Sequence, residues 1–220
     1  MIWMRLRWSN RLTSLTDWQA MEENLTTIWT PCHAFYIQSM LFNTNSAFQS
    51  CSIAEKLVKK ISDGEIEPQA KKDILLDCLQ NVVNQSGAIS RYFFPSRDGP
   101  KGGQGKNLHK DRGSYLREVF GVDENSPLVN RGLRNSIEHF DERLDLYLQG
   151  GMVGYIFPSL ILPEPEDSEV PHHIFRAYYL KEGIFQILGE RYEIQPIVKE
   201  VARIHNLLVK FDQNGGVFPT

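Results

Sequence analysis

The fold of this chain is decided by residues 31–95, which read PCHAFYIQSMLFNTNSAFQSCSIAEKLVKKISDGEIEPQAKKDILLDCLQNVVNQSGAISRYFFP. Apolar residues recur at every third or fourth position through two segments of this stretch, which is the pattern of helices with one buried face. Pro31 and Pro68 suit the first turn of each helix, and Asp63-Gly64 marks the turn between them. Because this connection is short, we expect two long helices packed antiparallel.

Length, composition and charge indicate a globular chain of the size of one domain. The 220 residues are 41% hydrophobic and 23% charged with a formal net charge of −3, which excludes wholesale disorder and gives no global attraction to nucleic acid. We find no apolar run of about 18–20 residues, and arginines interrupt the apolar start of the chain, so we expect a cytoplasmic protein without a membrane partner. Three widely spaced cysteines fit neither a disulfide framework nor a zinc site.

The segments outside this stretch continue the helical pattern and then depart from it. Apolar periods and capping residues predict further helices at 16–29, 115–120 and 127–149, and a last one from Pro196. Between the last two helices the period changes to that of strands, at 153–157, 174–180 and 184–188, with a hairpin turn at Gly183 and an acidic, proline-rich loop at 163–171.

These patterns predict a single domain over residues 1–220. Its fold class would be mostly α, an antiparallel bundle of four to five long helices with a small β-hairpin or sheet insertion before the last helix. The helical core would span about 14–149 and 195–212, and the β-rich insertion about 151–194.

A basic, glycine-rich stretch at 96–114 has no apolar period, and we predict a loop there. It does not match the phosphate-binding P-loop or the dinucleotide fingerprint, since glycine is absent at the required positions. Its cations would suit a phosphate-tracking arm that orders on RNA, with Tyr92, Phe93 or Phe94 stacking on bases, although such a surface loop is more often a solvated linker. The candidate phosphate-binding residues here are Arg97, Lys101, Lys106, Lys110 and Arg112.

Residues 131–145, RGLRNSIEHFDERLD, form an unusually polar helix for a bundle. At about 100° per residue, the apolar stripe is Leu133, Ile137, Phe140, Leu144 and Leu148. A second stripe carries Asn135, His139 and Arg143 at successive fourth positions. Arg134 lies about 140° from His139 on this wheel, so the two side chains meet only if the arginine folds across, if Gly132 distorts the helix, or if a second subunit supplies one of them.

The hexapeptide from Arg134 to His139, RNSIEH, resembles the R-[polar]-x3-H motif of HEPN-domain ribonucleases, toxins and defence nucleases. The resemblance implies a dimerising bundle of four or five helices whose motif faces a cleft between the subunits. It implies endoribonuclease cleavage without metal or cofactor, in which the RNA 2′-hydroxyl attacks the adjacent phosphate. It also implies a toxin-antitoxin or defence setting, with an antitoxin or nucleotidyltransferase-like partner.

The residue types fit that chemistry. Arg134 would stabilise the charge of the phosphorane, His139 would transfer protons, Asn135 would orient His139 or hold a phosphate oxygen, and Arg143 would bind phosphate. The alternative is a non-catalytic helical binding module in which Arg134 pairs with Glu138 and His139 is a hydrogen-bonding interface residue. Relatives silenced by adenylylation carry tyrosine two positions after the histidine, where this chain has Asp141, so we expect no regulation of that kind.

Overall fold

The structure is a computed structural model that describes residues 28, 30–95, 108–130, 132–165 and 168–219; of residues 133, 134 and 136 it describes the backbone only. The predicted helix at 16–29 therefore lies almost entirely outside the described residues. The helices are α1 (His33–Ser62), α2 (Lys72–Phe93), α3 (Leu108–Phe120), α4 (Gly132–Glu138), α5 (Phe140–Gln149) and α6 (Gln195–Gln213). The strands are β1 (Tyr155–Leu162), β2 (His172–Tyr179), β3 (Ile184–Ile187) and β4 (Glu190–Glu193).

The two long helices predicted from residues 31–95 are confirmed as α1 and α2. The Asn81 amide donates hydrogen bonds to the hydroxyls of Ser46 and Ser50, at 3.2 and 2.8 Å. The Tyr92 hydroxyl lies 2.5 Å from Ser39 Oγ. Because contacts later in α2 fall earlier in α1, the helices run antiparallel, as their short connection predicts.

One hydrophobic core lies where α1, α2, α3 and α6 meet. Its fully buried members come from all four helices and include Ile37, Met40, Ile89, Phe93, Leu116, Phe120, Ile204 and Leu208. None of the described helices combines the length and the apolar character needed to span a membrane.

The stretch at 96–114 is not a loop throughout, because α3 begins at Leu108. Gly113 is buried in this helix against the end of α2, and a Cβ atom there would lie 2.7 Å from the carbonyl oxygen of Phe93 and 2.9 Å from Cδ of Pro95. The glycine therefore permits close helix packing. The predicted loop is therefore wrong for residues 108–114, which belong to α3.

The chain between α5 and α6 forms a four-stranded sheet of order β1-β2-β3-β4. Strands β2, β3 and β4 pair antiparallel, with Gly183 at φ +66° in the predicted β2–β3 turn, whereas β1 pairs parallel with β2. One face, the inner face, packs on α1 and α2 through Ile161, Phe185 and Ile187 in a second core. The opposite, outer face carries Ala177 and Tyr179, which are also buried.

The burial of the outer face follows from the parallel pairing of β1 and β2. The chain must return along the full strand length, about 26 Å for eight residues, within residues 163–171. In this return loop, Pro165 and Val170 lie beside outer-face residues. Where the loop rejoins β1, a Cβ atom at Gly154 would lie 2.1 Å from the Pro171 carbonyl oxygen, so only glycine fits.

The predicted fold class, a mostly α antiparallel bundle of four to five long helices with a small β insertion, is wrong. The described part of the chain has three helices of 19 residues or more, and α3, α4 and α5 have 13, 7 and 10. The sheet is a layer in its own right, since its inner face supplies much of the second core. Helices and a separate mixed sheet together make the fold.

The C-terminal tail is held against the start of α1. His33 is 4% exposed; its Nε2 lies 2.7 Å from the Ile28 carbonyl oxygen, and its Nδ1 accepts the Phe218 N–H at 3.0 Å. Phe218 is 2% exposed and stacks edge-on to Phe120 and Phe211. The tail after Asn214 therefore packs on the core through Phe218.

Candidate functional site

The RNSIEH motif lies where α4 meets α5. The predicted single helix over 127–149 begins only at Gly132 and is interrupted at His139, whose φ and ψ are −114° and 36°. Its N–H still donates to the Asn135 carbonyl at 3.0 Å, and its own carbonyl accepts from the Arg143 N–H at 3.1 Å. The interruption is thus a kink, with the helical hydrogen-bond spacing kept on both sides, and His139 lies at its bend.

The His139 side chain is accessible. It is 57% exposed, and its Nδ1 lies 3.4 Å from Oε2 of Glu142, one turn further along α5. This is an ion-pair distance when the imidazole is protonated. The carboxylate therefore favours a ring orientation in which Nδ1 faces Glu142 and Nε2 is the nitrogen left for another group.

The other two predicted catalytic residues are placed less completely. Asn135 is exposed one turn before His139 and forms interactions of its own. For Arg134 the structure gives the backbone alone, within α4. The convergence of the Arg134 and His139 side chains stays a prediction.

Arg143, the predicted phosphate-binding residue of α5, contacts the sheet. Its Nη2 forms an ion pair and hydrogen bond with Oε1 of Glu190, and Oε2 of the same carboxylate accepts the Tyr192 hydroxyl. Sequence reasoning missed both β4 residues, because they lie about 50 residues further along the chain. The phosphate-binding role of Arg143 stays a prediction, and RNA would have to compete with Glu190 for it.

The motif and the basic stretch meet in space. Glu138 Oε1 lies 3.4 Å from Nη1 of Arg91, and the Arg91 carbonyl accepts a 2.9 Å hydrogen bond from Nη2 of Arg112. Glu138 thus contacts Arg91, a partner that the sequence did not predict. Of the predicted phosphate-binding residues, Lys110 and Arg112 lie in α3, and Arg97, Lys101 and Lys106 lie outside the described residues.

The aromatic residues proposed for base stacking differ in access. Phe93 is fully buried, so its predicted stacking role is wrong. Phe94 lies under the Arg117 guanidinium at 5.3 Å, and Tyr92 lies under that of Arg112 at 5.8 Å. Each of these two rings already has a guanidinium over its face, and the two remain the aromatic candidates for base stacking on this surface.

The apolar side of the motif segment is largely as predicted. Ile137, Phe140 and Leu144 pack against the second core, with the Arg176 guanidinium 3.9 Å from the Phe140 ring centre. Leu148, predicted in the same stripe, is 40% exposed, and Tyr147 packs instead. The kink at His139 accounts for this difference, since it rotates α5 relative to one straight helix.

Two further histidines, His173 and His205, are held in place by hydrogen bonds. Tyr147 Oη lies 3.0 Å from Nδ1 of His173, whose Nε2 lies 3.2 Å from the Val153 carbonyl oxygen. His205 Nδ1 bonds Thr44 Oγ1 at 3.0 Å, and burial lowers the pKa of His205. Among the described residues, no cluster of three or more His, Cys, Asp or Glu side chains is arranged to hold a metal ion.

Comparison with known proteins gives this chain no family: no family model, curated protein or solved structure matches it.

Proposed function

We propose that this chain is a metal-independent, HEPN-like endoribonuclease that acts as a homodimer in a toxin-antitoxin or defence setting. The observation that carries the proposal is the position of His139, accessible at a helix kink with the Glu142 carboxylate 3.4 Å from its Nδ1. A group that must exchange protons with a large substrate has to be reachable, and it benefits from a carboxylate that orients it.

The reaction assigns one role to each residue. His139 Nε2 either takes the proton of the 2′-hydroxyl or gives a proton to the departing 5′-oxygen. The 2′-oxygen bonds to phosphorus as the bond between phosphorus and the 5′-oxygen breaks. The products are a 2′,3′-cyclic phosphate and a 5′-hydroxyl. Arg134 stabilises the doubly charged phosphorane, and Asn135 orients His139 or holds a phosphate oxygen.

Electrostatics around the motif decide where RNA binds. Asp141, Glu142 and Asp145 of α5 oppose a polyanion, whereas residues 91–117 carry seven basic and two acidic side chains. The Glu138–Arg91 contact joins the motif to this basic surface. We therefore expect RNA to approach across α2 and α3 toward His139, with an affinity that falls steeply as salt rises.

The test is cleavage of labelled RNA by the purified chain in excess EDTA. His139→Ala should lower the cleavage rate about 10² to 10⁴-fold, the usual cost of losing a proton-transfer group. Arg134→Ala should lower it comparably, and Lys56→Ala, a change at an exposed lysine of α1, should leave it unchanged. Products ending in a cyclic phosphate support the mechanism. Intact RNA with the wild-type chain, or equal rates for wild type and His139→Ala, contradicts it.

The alternative, a non-catalytic helical module that binds a protein or a nucleotide-handling partner, is favoured by a different observation. Large apolar side chains are exposed near the motif, with Leu146 at 68% and Val153 at 81%. Exposed apolar surface of this kind is typical of protein interfaces. RNA that stays intact while Leu146→Asp abolishes capture of one defined partner would favour this alternative.

A further inference from the structure

A second site lies away from the motif, on the outer face of the sheet beside Pro165, Ser168 and Val170 of the return loop. A cavity of about 280 Å³ opens there. Leu162, Val170 and Ile174 give it an apolar wall, and Gln186, Arg191 and His172 give it a polar side. This space lies near the lower end of the roughly 300–1,000 Å³ range of small-molecule sites.

Gln186 supplies a directed donor to this cavity. The residue is 7% exposed, and its Oε1 accepts from the Tyr179 hydroxyl at 3.0 Å and from Nε of Arg191 at 3.3 Å. Because an arginine N–H only donates, the amide orientation is fixed, and Nε2 is the free end. Within the described part of the chain this Nε2 has no hydrogen-bond partner. Gln186 lines the cavity and its Nε2 is not sealed from solvent, so a ligand that accepts from this donor takes the place of water.

Arg191 is held in place beside that amide. Its Nε bond to Gln186 and its position 5.5 Å from the Tyr179 ring centre fix the guanidinium at two points. Beyond these contacts with Gln186 and Tyr179, the guanidinium is exposed to solvent. A guanidinium fixed in this way presents a fork of donors that matches a carboxylate or a phosphate.

The surroundings select between these two anions. Glu193 lies two residues after Arg191 on the same face of β4, about 7 Å away at 3.3 Å per residue, and Glu169 is exposed on the return loop. A second negative charge on a ligand would meet these carboxylates within the screening length. The cavity lining is mostly polar, and Leu162, Val170 and Ile174 add a smaller apolar contact that suits a short organic body. We propose that this cavity binds a small organic monocarboxylate, its carboxylate on Arg191 and Gln186 and its body against Leu162, Val170 and Ile174.

The test is titration of the full chain with benzoate, benzamide and inorganic phosphate by calorimetry at constant ionic strength. Benzoate is a small monocarboxylate with an apolar ring, and benzamide is its uncharged isostere. We expect saturable benzoate binding with a Kd near 1 mM and binding of benzamide and of phosphate that is at least about 10-fold weaker.

Variants locate the site. Arg191→Gln should weaken benzoate binding about 10- to 150-fold, the range for losing hydrogen bonds to a charged group. Lys181→Gln is the matched control, because it removes one positive charge from the β2–β3 turn of the same sheet, where Lys181 pairs with Glu164, and it should change the Kd less than about twofold. Circular dichroism checks that each variant is folded. If Arg191→Gln does not fold, Arg191→Lys replaces it and is expected to bind benzoate about 10-fold more weakly than the wild type.

The ligand comparison overturns the proposal without any variant. Absence of saturation by benzoate up to about 20 mM, equal affinity for benzamide, or tighter binding of phosphate would each exclude a monocarboxylate site. Equal loss in Arg191→Gln and Lys181→Gln would show that benzoate binds elsewhere.

Discussion

Replacing Gly113 by alanine tests the close contact between α2 and α3. Alanine is favoured over glycine within a helix by about 1 kcal/mol. Against this, the new Cβ would lie 2.7 Å from the Phe93 carbonyl oxygen and 2.9 Å from Cδ of Pro95, far inside the optimal separation of roughly 3.5–4.0 Å. Backbone and a proline ring cannot rotate away, so α3 must move, at a cost of about 2–3 kcal/mol for overpacking. The expected net loss in the free energy of unfolding is about 1–2 kcal/mol.

Urea denaturation followed by circular dichroism measures this loss, and Gly150→Ala is the matched control. Gly150 follows α5 at φ −68°, and the nearest atom to its Cβ would be 3.5 Å away, an ordinary contact. Alanine there should be neutral or stabilise by up to about 1 kcal/mol. A Gly113→Ala variant as stable as Gly150→Ala would refute the helix packing and would instead favour the loop expected from the glycine-rich sequence.

Three further outcomes follow from buried side chains. Burial lowers the pKa of His205 below its ordinary value of 6.5, so the unfolded chain binds this proton more readily and stability falls as pH drops from about 7 toward the lowered pKa. His205→Gln should flatten that part of a plot of urea midpoint against pH, and an unchanged slope would contradict a neutral, partly buried imidazole. His33→Phe removes the acceptor of the Phe218 N–H, so amide exchange at Phe218 should accelerate while α1 stays protected, whereas unchanged exchange would show that the tail is held by other contacts. Burial raises the pKa of Cys51 to about 11, so about one thiol in 10³ is ionised at pH 8. Iodoacetamide at pH 8 should therefore leave Cys51 unmodified while it labels a free cysteine peptide, and rapid labelling of Cys51 would argue against a partly buried thiol with this pKa.

Local sequence patterns were sufficient where a helix or turn is determined by its own residues. The period through residues 31–95 and the Asp63-Gly64 turn predict α1 and α2, and Gly183 predicts the β2–β3 hairpin. Gly113 shows the limit. A glycine among basic residues is typical of a loop, and its packing role depends on where the backbone of Phe93 lies, which is a property of the tertiary structure.

The candidate site shows the same limit. The apolar side of the motif segment was predicted at Ile137, Phe140 and Leu144, because helical spacing determines which residues share a face. The partners of its charged residues were not, since Arg143–Glu190 and Arg91–Glu138 each join residues 47 positions apart. Such pairs depend on how the sheet and α2 pack against the motif segment, and no local period contains that information.

The position of the sheet explains how a short polar helix pair can hold the motif. The helices α4 and α5 have 7 and 10 residues, below the length of about 12–15 at which an isolated helix is even marginal in water, and α5 has no fully buried residue. Their structure must therefore come from tertiary contacts: α4 packs against α2, and α5 contacts the sheet through Phe140 with Arg176, Tyr147 with His173 and Arg143 with Glu190. The β-rich segment thus supports the kink at His139, and the geometry offered to a substrate depends on strands whose sequence lies after the motif.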